Sequence, residues 1–309
     1  SLIAEMEQNH ADKVLMLSSR YMQLCDVYVP LEEDPRQIQR LLERCIDLRR
    51  AAGLGYEWLT DPMTRLAATY TTLGDPTRAV AMLDSRAAGP VLRPDRSNIG
   101  DIETRRADAL LALGRYREAG ENARSAFVQR TATWGPDHPW LMDGCLSMAK
   151  ARIGLRDWRG AVAVAESAVA VGRSWYPDLH PDQGRTVLAL AQATAGIDEQ
   201  GRAFELAIEA ERRLREALFC VSPGLGQAAA FRMDRDRGLA LGLAATLIRP
   251  GSSGADRRSL LDAIVKSRAV VLDLQISRIR SVGADSAGLR LRTEYERACT
   301  RLANLVMRQ

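Results

Sequence analysis

Residues 113–119 read "LGRYREA", residues 155–161 read "LRDWRGA" and residues 197–203 read "IDEQGRA". Successive copies are 42 residues apart, and each is a polar turn that ends in alanine. Columns of alanine flank the turn at the same spacing. Ala107, Ala149 and Ala191 fall in register before it, as do Ala109, Ala151 and Ala193. Ala119, Ala161 and Ala203 follow it, then Ala123, Ala165 and Ala207, then Ala126, Ala168 and Ala210. Self-similarity at a fixed period of this length is the mark of stacked repeats. A further copy, "LGDPTRA" at 73–79, lies 40 residues earlier, and its Asp75-Pro76 echoes Asp34-Pro35.

The period and the turn define a two-helix unit. Long helices cross closely only where small residues meet. The spacing therefore predicts that alanine in the first helix (helix A: Ala67, Ala107, Ala149, Ala191) faces alanine in the second (helix B: Ala79, Ala119, Ala161, Ala203). Tyr116 and Trp158, beside the turn, are placed to cover the hairpin's end. Each hairpin leaves an apolar face that its neighbour must bury, so stability is a nearest-neighbour sum.

The stretches "GPDHP" (135–139) and "YPDLHP" (176–181) carry His-Pro pairs in the same 42-residue register. Proline pre-sets the first helical turn and pushes the residue before it toward extended geometry. The pairs therefore read as starters of helix A. A metal site needs several converging ligands, and no third ligand recurs with His138 and His180; His10 stands apart. No metal or other cofactor is expected. Cys145 follows His138 by seven residues, but its place on helix A makes it core and not a nucleophile. The Gly-x-Gly stretches "GLGYEW" (53–58) and "SPGLGQ" (222–227) lack a phosphate-loop continuation and read as helix ends.

Composition agrees with an all-α chain. Among 309 residues, hydrophobic content is 46% and aromatic content 5%, and Ala, Leu and Arg are prominent. These residues favour helix, and no sustained period-2 run marks a strand. No window approaches the ~18 consecutive apolar residues of a membrane span, and no signal peptide is evident. Cys25, Cys45, Cys145, Cys220 and Cys299 form no pairing framework, which reads as buried thiols in a reducing cytoplasm. The chain begins at Ser1 and ends at Gln309 within a helical pattern, so it reads as a segment of a longer polypeptide.

The repeats resemble tetratricopeptide repeats, whose usual unit is about 34 residues. The longer period with "GPDHP" is similar to the kinesin-light-chain-type variant common in bacteria. The resemblance covers residues 1–215, with helix A of the first unit expected at 2–24 and helix B at 34–52. It implies a solenoid in which helix A lines a concave groove that receives a peptide or protein partner. In the alanine register the candidate groove residues are Asp101, Thr104 and Asp108, then Asp143, Leu146 and Lys150, then Arg185, Leu188 and Gln192. Mixed charge at equivalent places suits a segment with its own charge pattern.

After residue 215 the alanine register stops, and 216–309 read as a helical extension. A break at "VSPGLG" (221–226) precedes a helix at 227–248, ended by "RPGSSG" (249–254). The helix at 256–282 carries a stripe of Leu261, Val265, Ala269, Leu272, Ile276 and Ile279. A last helix carries Leu291, Tyr295, Ala298, Leu302 and Leu305 and is expected to close a hairpin with it. From 266 onward nine Lys and Arg outweigh four Asp and Glu. With Tyr295 as the one aromatic ring there, the surface reads as a solvated face or a domain contact, not a nucleic-acid site.

"AIVKSRAVVLDLQISRI" (263–279) resembles the segment that joins tetratricopeptide repeats to a CHAT domain, a caspase- and separase-like protease. Ser267, Arg268, Leu272, Asp273 and Leu274 carry the likeness. It implies the partner-sensing, regulatory region of a bacterial cysteine protease whose catalytic residues lie beyond Gln309. No catalytic residue is expected within the chain. A scaffold or sensor array without a protease, for example on a nucleotide-switch ATPase, is the alternative.

Overall fold

The computed structural model describes residues 16–19, 22, 35–87, 96–175, 180–221 and 227–281. Every regular element among them is an α-helix: α1 (Pro35–Ala51), α2 (Tyr56–Thr72), α3 (Pro76–Ala87), α4 (Arg96–Ala112), α5 (Tyr116–Trp134), α6 (Leu141–Gly154), α7 (Trp158–Trp175), α8 (Pro181–Gly196), α9 (Gln200–Val221), α10 (Gln227–Leu247) and α11 (Gly254–Ser281). The helix expected at 34–52 is α1. The one expected at 2–24 lies outside the described residues except at 16–19 and 22, which are helical. No helix among the described residues is long and apolar enough to cross a membrane.

Each helix packs on the next along the chain. In addition α2 touches α4, α4 touches α6, α6 touches α8 and α8 touches α10. The A helices thus form one continuous layer, with the B helices α3, α5, α7 and α9 behind it. The chain is a solenoid of antiparallel helical hairpins. All fifteen alanines of the five columns are at most 1% exposed, as the 42-residue register predicts.

The recurring turn has a recurring geometry. At the end of α2, the amides of Gly74 and Asp75 donate to the carbonyls of Thr71 and Tyr70. The same pair of bonds closes α4, α6 and α8 through Gly114 and Arg115, Arg156 and Asp157, and Asp198 and Glu199. This double bond pattern is the Schellman cap, which needs one left-handed residue. That residue is Gly74 (φ 84°), Gly114 (72°), Arg156 (60°) or Asp198 (67°). One turn is therefore built four times from three residue types.

The His-Pro pairs start helices, and the imidazoles take part. Nδ1 of His180 accepts the Asp182 amide at 3.3 Å and caps α8, whose first residue is Pro181. Nδ1 of His138 accepts the Trp140 amide at the same distance, but there Pro139 and Trp140 form a turn and α6 begins at Leu141.

Past residue 221 the alanine register is gone while the packing alternation persists. The α10 helix lies on α8 and α9, and α11 lies on α9 and α10. The stripe expected on α11 differs in its first half. Leu261 and Val265 are 61% and 60% exposed, whereas Ala263 and Ser267 are buried and Leu260 joins the cluster of Ala207 and Ala244. The face that docks on α9 is thus the alanine-serine face, because small residues permit closer approach. The side chains of the stripe from Ala269 onward, and the last expected helix, lie outside the described residues.

Candidate functional site

A cavity of about 620 Å³ opens on the A-helix layer. Its walls come from α2 (Thr71), α4 (Arg105, Asp108, Leu111, Ala112), α6 (Asp143, Leu146, Ser147, Lys150), α8 (Asp182, Arg185) and α10 (Arg235, Asp236). No B helix contributes to the lining. The position follows from the hairpin geometry: the alanine columns bury one side of each A helix against B helices, and the opposite side faces the groove.

The groove runs diagonally. On α4 it uses the C-terminal half, on α6 the middle and on α8 the first turn and a half. Of the expected residues, Asp108, Asp143, Leu146, Lys150 and Arg185 are brought together there. Asp101, Thr104, Leu188 and Gln192 are not among its walls. Asp101 pairs instead with Arg130 of α5 at 2.6 Å. Thr104 is 1% exposed and its hydroxyl donates to the Gly100 carbonyl at 2.7 Å. Leu188 is buried in the core cluster that holds Leu146 and Val169, and Gln192 is half-buried toward the far end of α8. Columns of equal register mark equal heights on successive helices, whereas the cavity crosses those heights obliquely.

Arg105, Ser147, Asp182, Arg235 and Asp236 line the groove without having been picked out in the sequence. Arg105 and Ser147 share a 42-residue column beside the chosen ones, a signal that was present. Asp236 lies beyond the register and carried none.

The groove's charges divide into spent and unspent. Arg105 pairs with Asp108 at 3.3 Å, and the Ser147 hydroxyl donates to the same Asp108 carboxylate at 2.9 Å. Arg185 sits between Asp182 (2.8 Å) and Asp236 (2.9 Å). Burial works against its positive charge, but the two carboxylates outweigh it and hold the guanidinium firmly protonated. Asp143 stands differently. Burial, then the nearby Asp182 and Asp108 charges, push its carboxyl above the usual range, against opposition from Arg105 and Arg130. Lys150, two turns further along α6, is exposed.

A second cavity, about 430 Å³, lies among α1, α2 and α3. Its polar groups satisfy one another: the Tyr70 hydroxyl donates to Glu43 at 2.7 Å, and Arg78 bonds Glu43 at 3.3 Å and covers the Tyr70 ring. Burial and the Glu43 carboxylate push the Tyr70 hydroxyl up to about 12. The Cys145 thiol is buried on α6 and pushed up to about 11 by that burial, the reverse of what a nucleophile needs. Among the described residues no cluster of His, Cys, Asp and Glu could hold a metal ion.

Hairpins stacked in series, with the first helix of each lining a shared groove, decide the architecture. It is an all-α solenoid of antiparallel helical hairpins. No protein-family profile matches the sequence, and no curated protein does. Solved structures are similar to it. A kinesin light chain protein of Podosopora anserina with nearly identical TPR-like repeats, in a form carrying one substitution, is 22% identical over 66% of this chain and 94% of its own, with a TM-score of 0.49. The same repeats without that substitution give 22%, 65%, 93% and 0.46. The TPR2AB domain of yeast Sti1 in its pHSP90 complex gives 14% identity, 77% and 98% coverage and a TM-score of 0.32.

Proposed function

We propose that this solenoid is a protein-interaction module that holds a peptide or protein segment in the groove between α4, α6, α8 and α10. The observation that carries the reading is the groove itself. One helix layer lines it, and it offers charges of both signs, Asp143 and Lys150, that no ion pair among the described residues uses. Selection of random dodecapeptides on the purified chain tests it. Selected peptides are expected to lose binding about tenfold or more on Asp108→Ala/Lys150→Ala and to be indifferent to Gln192→Ala. Equal binding to the parent and both variants would contradict the reading.

The finer reading is that the module regulates a CHAT-type cysteine protease carried beyond Gln309. It is supported by the resemblance at Ser267–Leu274 and by the position of that segment: it belongs to α11, a helix packed on α9 and α10, so a following domain would be coupled to the array. The gene sequence past codon 309 decides it. A His and a Cys in separate strand–loop contexts are expected; a stop codon or a P-loop would favour the scaffold alternative.

A further inference from the structure

The groove's chemistry also specifies which side chain it takes, given the reading above. We propose that the bound segment places an arginine on Asp143 and an acidic residue three positions away on Lys150.

The cations on the helices around Asp143 have other partners, and Arg235 of α10, which also lines the cavity, lies 3.9 Å from Asp236. On α4, Arg105 is held by Asp108. On α5, Arg130 is 5% exposed and held by Asp101 at 2.6 Å and by the Trp140 carbonyl at 2.7 Å. On α8, Arg185 is shared between Asp182 and Asp236. No side-chain hydrogen bond from the described residues reaches the Asp143 carboxylate, which shares the cavity with Asp108 and Asp182. A carboxylate drawn out of water beside two like charges is stabilised by a cation from outside.

The cation's form follows from the spacing. The groove acids, Asp108, Asp143, Asp182 and Asp236, come from four helices of one layer and do not form a metal-binding cluster among the described residues. They suit a planar group that donates in several directions, which is a guanidinium more than an ammonium. Asp143 and Lys150 are seven residues apart on one helix, hence about 10 Å by the helical rise. An extended segment of the polyproline type repeats its facing after three residues and ~9 Å. Arginine and glutamate three positions apart on such a segment therefore reach both.

The probe is a pair of blocked hexapeptides, acetyl-Gly-Arg-Ala-Ala-Glu-Gly-amide and its sequence-reversed form, each also made with citrulline for arginine. Binding is followed by NMR titration of the full chain. At least one arginine peptide is expected to saturate at millimolar concentration and to lose about tenfold or more with citrulline. Asp143→Asn should weaken the arginine peptide by a similar factor and leave the citrulline peptide unchanged. Lys150→Met, which removes the acid's partner, should weaken the glutamate peptide but not a version with glutamine. No saturation by either arginine peptide, equal binding of arginine and citrulline forms, or the same loss for both in Asp143→Asn would overturn the proposal. Selected groove-binding dodecapeptides that lack any basic residue would overturn it while leaving the groove reading intact.

Discussion

The Tyr116 ring of α5 lies across Gly154 of α6, so close that a β-carbon at 154 would stand 2.3 Å from Cδ1 and 2.4 Å from Cγ. Forty-two residues on, the Trp158 ring lies across Gly196 in the same way, with 2.2 Å to Cδ2. The aromatic residue expected to close its own hairpin is therefore also the contact to the next one, and the glycine makes room for it.

Gly154→Ala and Gly196→Ala are expected to destabilise by about 1–3 kcal/mol through overpacking, although alanine favours helix by about 1 kcal/mol. Urea unfolding checks this. In the background Tyr116→Ala, Gly154→Ala should become neutral or stabilising; a loss of equal size there would remove the ring from the explanation.

Arg156 occupies the left-handed position that Gly74 and Gly114 fill in sister turns. Left-handed geometry costs a side-chain-bearing residue about 1–2 kcal/mol, partly offset by glycine's greater freedom in the unfolded chain. Arg156→Gly should raise stability by about 0.5–1 kcal/mol and Gly114→Ala should lower it by a similar amount, both read from thermal and urea unfolding.

His180 caps α8 by accepting the Asp182 amide at Nδ1. His180→Ala should cost about 1 kcal/mol, the usual loss for a missing N-cap acceptor, and His180→Asn should recover most of it. Amide exchange at Asp182 reports the loss locally.

Asp143 gives a pH dependence with a definite sign. Its folded pKa is raised by burial and by Asp182 and Asp108, so the neutral acid suits the folded chain better than the carboxylate. That stabilisation is complete below the ordinary value of 3.8 and is lost as pH rises through the folded pKa. Asp143→Asn should therefore be more stable than the parent at neutral pH, with the difference vanishing in acid. A groove residue that lowers stability while unliganded is what a binding role produces.

How much of this was legible in the sequence follows from what repeats. The alanine columns mark the helix crossings because crossing is a local demand that every unit meets with the same small residue. The turn was legible too, even where Arg156 and Asp198 replace glycine, because the alanines around it kept the frame. The groove was legible only in its middle, at Asp108, Asp143, Leu146, Lys150 and Arg185. A column of equal register assumes a groove parallel to the stack, and the oblique path leaves Asp101 and Thr104 at one end and Gln192 at the other. Asp101 instead answers a requirement of its own hairpin, the buried Arg130 guanidinium of α5. Leu261 and Val265 show the same limit: periodicity located a stripe, but the small face of α11 won the contact.

The most direct test of the groove places a photo-crosslinking amino acid at position 150 on α6 and, separately, at Val128, an exposed residue of α5 on the B layer. With a selected dodecapeptide added, the account predicts covalent capture from position 150, abolished by excess unlabelled peptide, and none from position 128. Capture from 128 with none from 150 would contradict it.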